Sequence, residues 1–194
     1  GGDGADIIYG NDGDDTIYLG VGDAMQIGGV VQNVGGNGYD TAIMGEGFSW
    51  NTGNWSWYGF EAVVGNSSAN TINGLDGNVG YNFQGGGGDD TITTSGGDDT
   101  LDGGVGNDVI KGGAGIDTIF GDDGNDTIDG GDGDDVLNPG DNFGWDFVVG
   151  SKGDDSIILS DIIYGYVDIA YTNLNAGIQA TINGSTNTAE VHKG

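Results

Sequence analysis

Between Gly85 and Ile158 an aspartate recurs at the sixth place of a nine-residue unit, after a glycine-rich run, with an aliphatic residue two places later. In frame the units are GGGGDDTIT, TSGGDDTLD, GGVGNDVIK, GGAGIDTIF, GDDGNDTID and GGDGDDVLN, then a Pro139–Gly140 insertion, then DNFGWDFVV and GSKGDDSII. The aspartates are Asp90, Asp99, Asp108, Asp117, Asp126, Asp135, Asp146 and Asp155; the aliphatic residues are Ile92, Leu101, Ile110, Ile119, Ile128, Leu137, Val148 and Ile157. Carboxylates at fixed spacing among glycines, whose backbone bends where other residues cannot, are suited to collecting hard oxygen donors around a divalent cation. Acidic residues outside that frame, such as Asp3, Asp12, Asp122 and Asp132, read as solvated surface.

Other chemistries fit poorly. The chain has no cysteine, no arginine and a single histidine, His192, near its end, so a nucleophile with its base is not evident. Glycine-rich matches to phosphate loops lack the following Lys-Ser/Thr and a long helix. Zinc would need Cys or several His, magnesium a tighter octahedron, and an EF-hand a twelve-residue loop ending in Glu. Calcium is the expected ion, and the chain is read as non-catalytic.

Elements must hold these residues in place. A nonapeptide of the form G-G-x-G-x-D-x-U-x is the signature of a calcium-binding parallel β-roll, and on these units the chain resembles the RTX (haemolysin-type calcium-binding) family. The resemblance implies an all-β, right-handed parallel β-roll or β-helix solenoid. The first six residues of each unit would form a turn, and the last three a short strand with its aliphatic residue inward. Two units would complete a coil, aligning Asp90, Asp108, Asp126 and Asp146 on one side and Asp99, Asp117, Asp135 and Asp155 on the other. Calcium between successive members gives about three ions per file, about six in all. Turn carbonyls would complete each shell, from Gly85, Gly87, Gly103, Gly104, Gly106, Gly112, Gly113, Gly115, Gly121, Gly124, Gly130, Gly131 and Gly133.

The flanks divide the chain. Residues 1–43 carry partly degenerate repeats with Asp6, Asp15 and Asp40 at the sixth place, while Ala24 stands where an Asp belongs. Residues 44–64 form an aromatic-rich insertion containing Trp50, Trp55, Trp57, Tyr58 and Phe60, which either covers an edge of the solenoid or offers a platform for a polysaccharide or protein partner. The repeat resumes over 65–158, weakly at first: Asn70 replaces Asp, and weak or absent metal is expected there. Residues 159–194 read as a β-rich C-terminal cap, truncated, in which NGST makes a hairpin turn.

Composition agrees. Of 194 residues 45 are glycine, and the formal net charge is −28. Such charge opposes binding to nucleic acid and makes compaction costly without counterions. No stretch reaches the roughly 18 apolar residues of a membrane span. The family resemblance implies a bacterial secreted or cell-surface module, exported by type I secretion, that folds on calcium outside the cell. The alternative is an adhesion or carbohydrate-binding module working through the Trp-rich insertion. The chain opens inside a repeat, with no signal peptide before it, and is expected to be a monomeric piece of a longer protein.

Overall fold

The computed structural model describes residues 12–20, 39–46, 60–74, 77–140, 144–159, 166–171, 179–182 and 189–193; for Tyr166, Tyr171 and the last two stretches only the backbone is described. Among these residues every regular element is a strand, and every strand pairing is parallel. The N-terminal part contributes β1 (Thr16–Leu19), β2 (Thr41–Met44), β3 (Ala62–Val64) and β4 (Thr71–Asn73). The regular block follows with β5 (Asn82–Gly87), β6 (Thr91–Thr93), β7 (Thr100–Val105), β8 (Val109–Ala114), β9 (Thr118–Asp123) and β10 (Thr127–Asp132). It closes with β11 (Val136–Asn138), β12 (Trp145–Gly150) and β13 (Ser156–Leu159), after which come β14 (Tyr166–Tyr171), β15 (Gln179–Ile182) and β16 (Ala189–Lys193).

Successive strands alternate between two sheets through the regular block. The first sheet has the order β1-β2-β3-β5-β7-β9-β11-β13-β15, and the second runs β16-β14-β12-β10-β8-β6-β4. The molecule is therefore a β-solenoid, a β-roll in which each coil of the regular block places one strand in each sheet. Eighteen residues separate partners such as Leu101 and Ile119 or Ile92 and Ile110, which is two nonapeptides.

The aliphatic residue of each unit makes this stacking favourable. Phe83, Leu101, Ile119, Leu137 and Ile157 stack in one row and Ile72, Ile92, Ile110, Ile128 and Val148 in the other, all fully buried between the sheets. Each contributes roughly 1.5–3 kcal/mol on burial, and no unit could bury its one such residue alone. In β6 to β11 the threonine or valine before it and the residue after it face outward, as alternation along a strand requires.

Several local features differ from the sequence expectation. Strands β7 to β10 do not stop at the ninth place of a unit but continue through the next three residues, because glycine leaves the backbone free to keep pairing. The second place then turns with positive φ, as at Gly104 (93°) and Gly131 (103°). Asp122, at φ 67°, is the non-glycine residue with positive φ among those described, a conformation Asp tolerates better than most side chains.

The extra residues after Asn138 are not Pro139 and Gly140. The Pro139 carbonyl faces Gly121 and Gly140 lies against Asp122, so these two take the first and second places of their unit. The insertion falls instead in 141–143, outside the described residues. At the end of the aromatic stretch, Phe60 is buried in the core and Ala62–Val64 forms β3, so the coil resumes before residue 65. The C-terminal segment is β-rich, but NGST does not join a hairpin: β15 and β16 lie in different sheets, each parallel to a strand of the preceding coil. Ile169 extends the buried row opposite Val148 and Val167 is buried opposite Asp146, so the core continues where the glycines thin out.

Candidate metal centre

Each sixth-place aspartate stands just before the strand of its unit, and stacking brings it onto the aspartate of the next coil. Along the second sheet the Asp90 N–H donates to Asp108 Oδ1 (2.7 Å), the Asp108 N–H to Asp126 Oδ1 (2.8 Å) and the Asp126 N–H to Asp146 Oδ1 (3.0 Å). Along the first sheet the Asp99 N–H donates to Asp117 Oδ1 (2.9 Å), the Asp117 N–H to Asp135 Oδ1 (2.9 Å) and the Asp135 N–H to Asp155 Oδ1 (3.1 Å). All eight side chains are buried. One carboxylate oxygen therefore ties coil to coil.

The other oxygen is left over. Oδ2 of Asp90, Asp108, Asp117, Asp126, Asp135 and Asp155 is buried without a hydrogen-bond donor, as are those of Asp15 and Asp40; the buried Asp99 carboxylate has the Thr94 hydroxyl beside it. A buried, unpaired carboxylate oxygen is costly, and recurrence in coil after coil makes it a designed feature. Five of these oxygens lie against the first residue, a glycine, of their own unit. A Cβ added to Gly85, Gly103, Gly112, Gly121 or Gly130 would overlap Oδ2 of Asp90, Asp108, Asp117, Asp126 or Asp135 respectively. In three of these cradles the next coil adds a carbonyl oxygen: Gly103 O lies 2.6 Å from the Cβ place of Gly85, Gly130 O 2.7 Å from that of Gly112 and Pro139 O 2.7 Å from that of Gly121.

The remaining glycines shape the same turns. Gly104, Gly113 and Gly131 hold the second place and Gly87 the third, while Gly106, Gly115, Gly124 and Gly133 hold the fourth with positive φ, or 142° to 153° for the last four. Each fourth-place glycine lies against the carbonyl of the fourth-place glycine one coil earlier, an approach closed to any side chain.

Burial governs the charge of these sites. Desolvation pushes Asp90, Asp126 and Asp135 up to about 7 and Asp99, Asp117 and Asp146 up to about 6, against an ordinary value of 3.8. It also raises Asp108 and Asp155. The backbone N–H of the preceding coil opposes the rise, and neighbouring carboxylates add to it in most of these sites. Burial in the turns thus disfavours the ionised form of these carboxylates unless a counter-charge joins them.

Those orphaned oxygens, with the adjoining carbonyls, are a donor set for a hard cation. Among the described residues no three His, Cys, Asp or Glu side chains gather into one cluster. Two aspartates of successive coils must therefore be supplemented by backbone carbonyls, which suits calcium's six to eight oxygen ligands and excludes a softer metal's preference for His and Cys.

Outside the regular block the files continue in altered form. The Asp15 N–H donates to Asp40 Oδ1 (2.9 Å), and the Asp40 N–H to Glu61 Oε2 (2.8 Å). Glu61 occupies the aspartate's place before β3; its position two residues before the buried Val63 was the available signal. Asn70 turns its Oδ1 to the Asn66 N–H (3.0 Å), within its own turn. Val167 pairs with Asp146 and ends the second-sheet file. Asp6 and the aromatic residues Trp50, Trp55, Trp57 and Tyr58 lie outside the described residues.

A further ladder, absent from the sequence reading, runs at the fifth place on the outer surface. The Asn107 N–H donates to Asp89 Oδ1 (2.8 Å), the Asn125 N–H to Asn107 Oδ1 (3.1 Å) and the Trp145 N–H to Asn125 Oδ1 (2.8 Å). On the opposite side Asp98 receives the Ile116 N–H (2.9 Å) and Asp134 the Asp154 N–H (2.8 Å). The frequency of Asp and Asn at this place was its signal.

A family model described as RTX calcium-binding nonapeptide repeat (4 copies) matches residues 1–24, 58–78, 82–110, 111–142 and 140–166, more than half of the chain. No curated protein and no solved structure matches it.

Proposed function

The chain belongs to the RTX calcium-binding nonapeptide repeat family, and from that premise we propose that it is a non-catalytic module that folds on binding calcium. The observation that carries this reading is the row of buried Oδ2 atoms without donors, set against first-place glycines. Calcium supplies the positive charge and the oxygen coordination that these turns lack internally. The aspartates hold their coils in register through Oδ1 and present Oδ2 to the cradle, and the glycines keep side chains out of it. The residues proposed to hold the ions are the eight sixth-place aspartates of the regular block, with the first-place carbonyls; Asp15 and Asp40 extend the same file.

With a formal charge of −28, the chain compacts poorly when its carboxylates are ionised and unpaired. Binding energy then becomes folding energy, as in other metal sites that do not exist in the unfolded chain. This suits a secreted bacterial protein kept extended at low calcium, exported by a type I route and folded outside the cell. Calorimetric titration of calcium into the chelator-treated chain tests the reading. Binding of several ions per chain is expected, with heat release accompanied by a gain of β structure; titration without binding would refute it.

A further inference from the structure

The regular block has one place where the cradle is built differently. Thr93 of β6 pairs with Lys111 of β8, so Thr94 stands one coil before Gly112, at a first place that is glycine in the five neighbouring units. Thr94 is buried. Its Oγ1 donates to the Gly112 carbonyl oxygen at 2.5 Å and lies 3.2 Å from the Lys111 carbonyl oxygen. In the corresponding coils it is this first-place carbonyl, Gly103 O or Gly130 O, that faces the vacant Cβ place together with the orphaned aspartate oxygen. The coil with Thr94 has filled that space with a methyl group and a hydroxyl. Strand β6 also stops at Thr93, whereas β7 to β10 run on through their glycines.

The preceding coil points the same way. Its sixth place holds Tyr81, buried against Phe83 with ring centroids 4.8 Å apart, and the Tyr81 N–H donates to Asp99 Oδ1 at 2.7 Å. Asp99 thus has a tyrosine instead of a carboxylate on one side and a hydroxyl-filled cradle on the other.

We infer that Thr94 closes the cradle between the Asp99 and Asp117 coils with a protein hydroxyl, so that no calcium is held there and the first-sheet file takes up ions from the Asp117 and Asp135 pair onward. The inference rests on the reading of the open cradles as calcium sites. It makes the two files unequal: the second-sheet file begins at Asp90, whose own first place is Gly85, while the first-sheet file begins one coil later than its aspartates suggest. The Thr94 coil is consequently a segment whose packing is complete without metal.

Counting bound calcium by native mass spectrometry at saturating calcium tests this on the full chain and two variants. Thr94→Gly recreates the cradle of the other coils and is expected to bind one ion more than the unsubstituted chain; Thr94→Ser keeps the hydroxyl and is expected to bind the same number. An unchanged or lower count for Thr94→Gly, or its failure to fold in calcium, overturns the inference. An unsubstituted chain that binds no calcium would instead overturn the reading beneath it, so the two failures are distinguishable.

Discussion

Each sixth-place aspartate divides its labour between two oxygens, and substitutions separate them. Asp117 Oδ1 accepts the Asp99 N–H, while Oδ2 faces the Gly112 cradle. Asp117→Asn keeps an acceptor for that N–H and loses the charge, so calcium binding weakens at the Gly112 cradle while the metal-free chain is no less stable. Asp117→Ala loses both and leaves the buried N–H unpaired, at a cost of roughly 1–3 kcal/mol. Calcium titrations and calcium-saturated melts of the two variants should show the alanine variant as the less stable. Equal stability would mean that the Oδ1 contact contributes nothing.

The same residues set a pH dependence with opposite signs in the two states. Metal-free, their folded values lie at about 6 to 7, above the ordinary 3.8. A raised folded value means stability that is fully present below about pH 4 and lost as pH rises through 6 to 7. Chelated protein should therefore gain β structure on acidification from pH 8 to pH 4, read by far-ultraviolet circular dichroism. Calcium binding should weaken over the same interval, because protons and cation compete for the carboxylates. A metal-free chain equally unstructured at both pH values would contradict the assignment of desolvated aspartates.

At the scale of the strand and its turn, one aliphatic residue and one glycine carry each coil. Ile119 in β9 is fully buried between Leu101 and Leu137, and Ile119→Ala should cost about 2–5 kcal/mol, seen as a higher calcium midpoint for folding. Gly112→Ala puts a Cβ onto Asp117 Oδ2 and near Gly130 O; it should raise the midpoint by displacing ligands without touching the core. The aspartate and aliphatic frames were legible because both recur in linear spacing; their sorting into two sheets came from the family resemblance. Pro139 and Gly140 could not be placed from sequence, because their role as first and second residues of a unit depends on contacts with Gly121 and Asp122 one coil away. Nor could Thr94 be read as a filled cradle until the Gly112 carbonyl beside it was known. The path of the chain beyond Leu159 was hidden for another reason: parallel pairing there runs through backbone groups and the buried Val167 and Ile169, with no glycine frame to announce it.

At the scale of the whole molecule, a row of apolar side chains one residue deep per strand stands against an excess of negative charge. The core is continuous only when coils stack, and stacking brings the carboxylates of both files together in dry turns. Calcium is the counterion that these turns accommodate, which is why fold and binding are one equilibrium in this account. The most direct measurement is far-ultraviolet circular dichroism of the chain at neutral pH in excess chelator and again in millimolar calcium. The account predicts little β structure in chelator and a cooperative gain of it on adding calcium; the same β content in both conditions would contradict it.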